Sequence, residues 1–167
     1  GEIKEVILGE RRSIQNIIIA LDEEENSIVH SPIKYQEISS LGKGKVIDRL
    51  LEANLWPIIR QRPFNKIADP NDNPRAIFIS GFNSAPLSVN LDFALRYKQS
   101  VFQAGLDVLN QLSVGGVHLT FEADTNCETL TSARNVNLHT VIGPHPSGNV
   151  GIQIHHIDPW KPNEVIW

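Results

Sequence analysis

The chain has 167 residues, of which 41% are hydrophobic and 20% are charged, and its formal net charge at pH 7 is −4. This composition excludes a disordered chain, and the lack of a concentrated run of Lys or Arg argues against nucleic acid as the main partner. A single cysteine, Cys127, excludes an internal disulfide and a cysteine-held iron–sulfur cluster in this piece. The apolar runs are too short for a membrane helix, so no direct membrane span is predicted.

The first 33 residues predict β-strands. Residues 14–21 form the clearest β-branched run, the acidic stretch 22–26 is predicted to be a hairpin tip, and residues 28–29 are predicted to resume the strand. Two or three strands do not make a stable domain alone. We therefore interpret residues 1–33 as the tail of a small β-rich domain, and the apolar end at 164–167 as an interrupted strand. Both ends indicate a piece of a longer chain.

Residues 34–160 alternate between helix and strand patterns. Apolar positions predict helices over 43–55 and from about 149, one long or two short helices over 91–112, and buried strands at 76–80, 117–121 and 136–142. This order predicts an α/β fold with a parallel sheet flanked by helices. Residues 161–167 are predicted to begin a following domain.

A basic and aromatic segment follows the first predicted helix. Three cations stand within seven residues, next to two aromatic side chains and a conformation-fixing proline. This mixture suits a planar anion or a quinone-like ring, through charge-assisted hydrogen bonds and stacking. The alternative is an exposed basic loop that pairs with acidic neighbours. The candidate binding residues are Trp56, Ile59, Arg60, Arg62, Pro63, Phe64 and Lys66.

Glycine-containing loops follow the predicted strands, at the edge where open α/β sheets bind their ligands. Glycine lets backbone amides approach a ligand closely, and the neighbouring polar side chains offer hydrogen bonds. The alternative interpretation is that these are ordinary tight turns. The candidate pocket residues are Gly81, Asn83, Ser84, Pro86, Gly143, His145 and Gly148.

Several common sites are excluded by their spacing. His155 and His156 are adjacent and point apart on either a helix or a strand, and His139 and His145 have no acidic partner at a familiar metal-binding spacing. No dinucleotide or phosphate-loop fingerprint is present. Cys127 has no basic setting that would activate its thiol. The sequence therefore predicts no metal and no catalytic residue in this piece.

Three blocks resemble the NqrA family, whose members are a subunit of the Na⁺-translocating NADH:quinone reductase. The blocks are residues 50–66, residues 76–87, and Gly143-Pro-His-Pro-Ser-Gly148 running on to Pro159. The resemblance implies a Rossmann-like domain preceded by the end of a barrel-sandwich-like domain. It also implies a non-redox peripheral subunit of a multisubunit translocase.

The complex implied by this resemblance passes electrons from NADH through flavins and an iron–sulfur centre to ubiquinone or menaquinone, coupled to Na⁺ export. The expected partners are the quinone and the other subunits of that complex. The expected location is the cytoplasmic side of the bacterial inner membrane, where the membrane subunits hold the protein.

The same family is distantly similar to the RnfC protein of the Rnf electron-transport complex and to the flavin- and NADH-binding subunit of respiratory complex I. In those relatives a glycine-rich loop cradles flavin phosphate near the position of residues 56–66. This chain has no glycine between Gly44 and Gly81. The bulky Arg60, Arg62 and Phe64 are expected to fill the phosphate space, which argues against FMN or any other cofactor bound by this piece.

The resemblance leaves three functions open. The first is quinone contact at residues 59–66, with Phe64 or Trp56 stacking on the ring and Arg60 or Lys66 polarising a quinone oxygen. The second is a flavin- or nucleotide-binding electron-transfer domain of the RnfC type. The third is an assembly module, with a vestigial pocket, that docks onto the other subunits.

Overall fold

The structure is a computed structural model that describes residues 1–24 and 27–167. These residues form two compact units, Gly1–Pro32 and Ile33–Trp167. No described helix is both long enough and apolar enough to cross a lipid bilayer. The three-part domain division predicted from the sequence stays a prediction.

The first unit is an antiparallel hairpin of strands β1 (Glu2–Leu8) and β2 (Ile14–Ala20). A short 3₁₀ turn, Glu10–Arg12, joins them, and the Gly9 amide donates to the Ser13 carbonyl at 2.7 Å. The turn of this hairpin thus precedes the long β-branched run, whereas the sequence predicted a tip after that run, at residues 22–26. Residues 25 and 26 lie outside the described residues, and residues 28–29 are not in a strand.

Apolar side chains on both strands of this hairpin face solvent. Ile3, Ile14 and Ile19 are 66%, 64% and 55% exposed. An isolated two-stranded ribbon buries too little surface to be stable alone. The predicted strands at the N-terminus are confirmed, and their assignment to a larger β-rich domain stays a prediction.

The second unit contains the helices and strands of the α/β fold. Its helices are α1 (Gly42–Glu52), α2 (Leu91–Ala94), α3 (Gln99–Asn110), α4 (Glu128–Thr131) and α5 (Val150–Ile157). Its strands are β3 (Arg60–Gln61), β4 (Lys66–Ile67), β5 (Ile77–Gly81), β6 (Val117–Glu122) and β7 (Asn137–Val141). Short 3₁₀ turns at Tyr35–Ser40 and Trp56–Ile58 flank α1. The segment 91–112 is thus two helices, with Tyr97 in the left-handed region at φ 61° between them.

Strands β5, β6 and β7 form a parallel sheet in that order. Parallel neighbours need crossover connections, and the α2–α3 and α4 segments supply them. The central strand is the most deeply buried, since Val117 and Leu119 are 0% exposed. His118 and Thr120 alternate with these apolar residues along the strand, so its other face carries polar side chains. The predicted α/β fold with a parallel sheet flanked by helices is confirmed.

The sheet separates two apolar clusters. On one face, Leu119 packs with Leu106 of α3 and Leu130 of α4. On the other face, Phe78 packs with Ile154 of α5. The helices that connect β5 to β6 and β6 to β7 belong to crossovers of the same hand and direction, so they pack on the same face of the sheet. The opposite face is left for α5.

The last residues lie along the outer edge of β5. The Phe78 amide donates to the Trp167 carbonyl at 2.8 Å, and the Trp167 amide donates to the Ala76 carbonyl at 3.1 Å. Ile166, which is fully buried, also accepts a hydrogen bond from the Arg62 amide at 2.9 Å. This short segment therefore fixes the β3–β4 hairpin against the parallel sheet.

Candidate functional site

The basic segment singled out from the sequence forms the β3–β4 hairpin. The Arg62–Pro63 peptide is cis, and Asn65 takes the left-handed conformation at φ 53°. The Arg60 guanidinium donates to the Asn65 carbonyl, and Arg62 Nη1 donates to Asn65 Oδ1 at 3.2 Å. Two of the three predicted cations are thus brought together over one turn.

An apolar cavity of about 610 Å³ lies between this hairpin and the outer edge of β5. Helix α3 lines another part of the cavity, together with Val150 at the start of α5 and Trp167. We call this cavity the β5-edge groove. Its size falls within the ordinary range for a small-molecule site. The groove is lined by Ile58, Ile59, Arg60, Arg62, Asn65, Ile77, Phe78, Ile79, Ser80, Val101, Phe102, Gly105, Leu106, Leu109, Val150 and Trp167.

Three predicted site residues, Ile59, Arg60 and Arg62, line the groove. The Arg62 side chain is held from two sides. Asn65 accepts from it, and a Cβ on Gly151 of α5 would stand only 2.7 Å from Arg62 Nη2. Two guanidinium groups therefore border a mainly hydrophobic space, whose other polar lining residues are Asn65 and Ser80.

The other predicted members of this set lie elsewhere. Pro63, Phe64 and Lys66 are exposed on the hairpin, with Phe64 84% exposed. Trp56 is 3% exposed and lies in the core, where its ring meets Trp167 edge-on at 5.4 Å between centroids. Its Nε1 donates to the Ala68 carbonyl at 2.8 Å. A ligand that stacks on Trp56 would have to open the core.

The outer edge of β5 contributes backbone groups to the groove. Successive residues of a strand direct their amide and carbonyl groups to opposite sides. Because Phe78 donates outward to Trp167, the backbone groups of Ser80, two residues further along, point outward as well. The groove therefore combines apolar walls, two guanidinium donors and a strand edge.

A buried polar network holds the Ser80 side chain, and Ser80 is one of the residues that line the groove. Thr120 and Gln153 are 0% and 2% exposed, and Thr120 Oγ1 donates to Gln153 Oε1 at 2.6 Å. Gln153 Nε2 donates to Ser80 Oγ at 3.0 Å and to the Ser147 carbonyl at 3.2 Å. These bonds tie α5 to β5 and β6. The network was not predicted from the sequence, because Gln153 carries no signal beyond a polar residue within an apolar helix.

The predicted pocket loops at the carboxyl ends of the strands close on each other. Ser84 Oγ lies 3.2 Å from His145 Nδ1 and accepts from the Gly148 amide at 2.9 Å. A Cβ on Gly148 would stand 2.2 Å from the Ser84 nitrogen, and one on Gly81 would stand 2.8 Å from the Thr120 carbonyl oxygen. These glycines permit close packing of protein on protein.

The remaining loop residues do not complete a phosphate cradle. Gly143, at φ 147°, turns the chain and its carbonyl accepts from Ser147 Oγ at 2.7 Å, while Pro86 is exposed. Gly81 and Asn83 border a separate depression of about 380 Å³. A phosphate would meet negative charge there, which disfavours its binding. That charge comes from three lining carboxylates, those of Asp92, Glu122 and Asp124.

Two histidines whose pairing was not predicted from the sequence stack on the α5 side of the sheet. His118 Nδ1 lies 3.0 Å from His139 Nε2, and the Phe78 ring stacks on His118 at 4.5 Å between centroids. Burial lowers the pKa of His118, and the charge of His139 lowers it further. Burial also lowers the pKa of His139. The structure therefore favours the neutral pair, in which one ring donates to the other.

The described residues contain no group of three His, Cys, Asp or Glu side chains arranged to hold a metal ion. Arg75 instead pairs with Asp158 and lies 2.9 Å, Nε to Oε2, from Glu164. This ion-pair cluster joins the start of β5 to the segment that leads into Ile166. We therefore interpret this cluster as a structural one, and not as part of a binding site.

These features define an α/β domain with a three-stranded parallel sheet and a lateral, arginine-bordered apolar groove. A family model described as the NqrA second alpha/beta domain matches residues 41–167. The chain belongs to this family, and the predicted resemblance is confirmed.

Curated relatives agree with the family match. The chain is 34% identical over 170 residues to the NqrA protein of the Na(+)-translocating NADH-quinone reductase of Serratia proteamaculans. It is 33% identical to the protein of the same name from Yersinia pseudotuberculosis and 27% identical to that from Alcanivorax borkumensis, each over 167 residues. Each match covers all of this chain and 37% of the relative. The chain thus spans little more than a third of these relatives.

Proposed function

We propose that this chain is the α/β part of a non-redox peripheral subunit of a Na⁺-pumping NADH:quinone reductase, and that its β5-edge groove binds the quinone. The NqrA relatives support the first part. The single observation that carries the second part is the apolar groove of about 610 Å³ with Arg60 and Arg62 at its border. NADH:ubiquinone electron transfer and Na⁺ export then belong to the complex as a whole.

The chemistry of the groove suits a quinone. Apolar side chains such as Ile79, Phe102 and Leu109 provide surface for the ring and for the start of an isoprenoid tail. In this proposal the guanidinium groups of Arg60 and Arg62 donate charge-assisted hydrogen bonds to the quinone oxygens. Electron transfer is assigned to other subunits, because this chain has one cysteine and no flavin-phosphate cradle in its described loops.

Binding to a quinone is tested by titrating the ¹⁵N-labelled chain with a short-chain ubiquinone and following backbone amide shifts. We expect shifts at the hairpin, along α3 and at the outer edge of β5. The double variant Arg60→Gln/Arg62→Gln should bind about tenfold more weakly, because two charged donors are lost. Arg134→Gln is the matched control, since Arg134 is exposed and lies outside the groove lining. Shifts confined to the loops at Gly81–Pro86 and Gly143–Gly148 would refute the assignment.

A role in assembly is the second candidate, and a specific surface favours it. Leu87, Phe93 and Tyr97 are 104%, 73% and 95% exposed, and Val101 continues the same segment at 72%. Exposed apolar patches of this kind mark protein–protein contacts. We propose that the other subunits of the complex dock here and hold this chain on the cytoplasmic side of the membrane. Substituting Phe93 and Tyr97 with Ser should release the protein from the purified complex, and an unchanged complex would contradict this role.

A further inference from the structure

Helix α3 presents a row of three residues to the β5-edge groove: Val101, Gly105 and Leu109. They are spaced four apart, so their side chains lie one above another on a single face of the helix. The middle position has no side chain. Side chains therefore form the groove wall at both ends of this row, and the wall has a notch at Gly105 between them.

A glycine in this position needs an explanation. Glycine is a poor helix former in a helix interior, and alanine would be the more stable choice on propensity alone. Gly105 takes no positive φ, and a Cβ built on it would meet no heavy atom within 4 Å. The neighbouring backbone and packing thus do not require glycine. Gly151 and Gly148 differ, because a Cβ there would meet protein atoms at 2.7 and 2.2 Å.

The notch opens onto the groove that Arg60 and Arg62 border. Leu106, 2% exposed, forms the packed row behind it, and the hairpin residues Ile59 and Arg60 line the groove as well. A side chain at position 105 would project into the cavity between Val101 and Leu109. The size of residue 105 therefore sets how much of a flat ring the groove admits.

We infer that Gly105 is a specificity-determining residue of the quinone site, where it keeps open the notch that receives the edge of the quinone ring. This inference rests on the proposed function. It adds that the shape of the α3 wall, and not only the two arginines, decides whether the ring enters.

The test compares Gly105→Ala and Gly105→Leu with Gly44→Ala and Gly44→Leu. Gly44 is the matched control, because it is also exposed on a helix with no heavy atom within 4 Å of a built Cβ, and it lies in α1 outside the groove. Each variant is titrated with a short-chain ubiquinone, and its stability is measured by urea unfolding. We expect a small loss of affinity for Gly105→Ala and a loss of about tenfold or more for Gly105→Leu, with both Gly44 variants unchanged.

The outcomes separate the two proposals. If the unsubstituted chain gives no shifts at the groove, the proposed function fails and the inference falls with it. If the unsubstituted chain binds and Gly105→Leu binds equally well while folded, the inference is overturned and the proposed function stands. If Gly105→Leu does not fold, Gly105→Ala decides, because it adds one methyl group to open space. Unchanged affinity in that folded variant, together with an unchanged pattern of shifts along α3, would overturn the inference.

Discussion

Replacing Trp56 with Phe distinguishes a core residue from a ligand-stacking residue. The sequence placed Trp56 among the candidate quinone contacts, since it precedes the basic segment. In the structure its indole is 3% exposed, meets Trp167 edge-on and donates to the Ala68 carbonyl. The variant should therefore lose stability while the folded protein keeps its quinone affinity.

The size of the effect follows from the contacts that are removed. Phenylalanine has no Nε1 donor, so the carbonyl of Ala68, itself 2% exposed, loses its 2.8 Å partner. Leaving a buried acceptor unpaired costs about 1–3 kcal/mol. The smaller ring also leaves a cavity beside Trp167, which adds about 1 kcal/mol. We expect the free energy of unfolding to fall by about 2–4 kcal/mol.

The measurement is urea unfolding followed by far-UV circular dichroism, since tryptophan fluorescence would change with the substitution itself. Trp160→Phe is the matched control. Trp160 also donates to a backbone carbonyl, that of Glu164 at 2.9 Å, but it is 38% exposed. Water can replace that bond, so the loss should stay below about 1 kcal/mol. A Trp56→Phe variant of unchanged stability whose quinone affinity is abolished would refute the core assignment.

Two further predictions concern the ionisable clusters. The pKa values of His118 and His139 are lowered from about 6.5, so the unfolded chain binds more protons below that pH. The neutral pair makes its full contribution to the free energy of unfolding above pH 6.5, and this contribution is lost as the pH falls through the folded-state pKa values. When the pH is lowered from 7.5 to 5.5, the free energy of unfolding should therefore fall less in His139→Leu than in the parent chain, as measured by urea midpoints. An identical fall in both proteins would contradict this. Arg75 lowers the pKa of Asp158, and Asp158→Asn removes the carboxylate from this ion pair. The substitution should cost about 1 kcal/mol at 0.1 M NaCl and less at 1 M. A cost that does not depend on salt would argue against an electrostatic origin.

Local pattern was enough to predict the parallel sheet. The run at 76–80 is apolar except for Ser80, and the run at 117–121 has His118 and Thr120 between apolar residues; both runs were nevertheless recognisable as strands. The helix near residue 149 was also predictable from the turn before it. The hairpin turn in the first unit was not, since its two positions with positive φ, at 54° and 60°, are occupied by arginines where glycine or asparagine is usual.

The candidate site was predictable only in part. Arg60 and Arg62 stood out by charge, and the short hairpin brings them together through Asn65. The α3 wall could not be found from the sequence, because Val101 and Gly105 are about forty residues away and look like ordinary helix positions. Trp56 shows the same limit of sequence-based prediction. An aromatic residue beside basic residues gives the same local pattern whether its side chain packs in the core or contacts a ligand.

The geometry also explains why the groove lies on the side of the sheet instead of at the carboxyl ends of its strands. A flavin phosphate needs open backbone amides at those ends. Here the Gly148 amide is already bonded to Ser84, and the remaining depression is lined by carboxylates. The groups suited to a ligand with acceptor oxygens, Arg60 and Arg62, are instead held beside the outer edge of β5, because Ile166 pairs with both the hairpin and that strand. A ligand that recognises them must also bury surface against α3, which is why we propose an uncharged ring with two oxygens as the occupant of this groove.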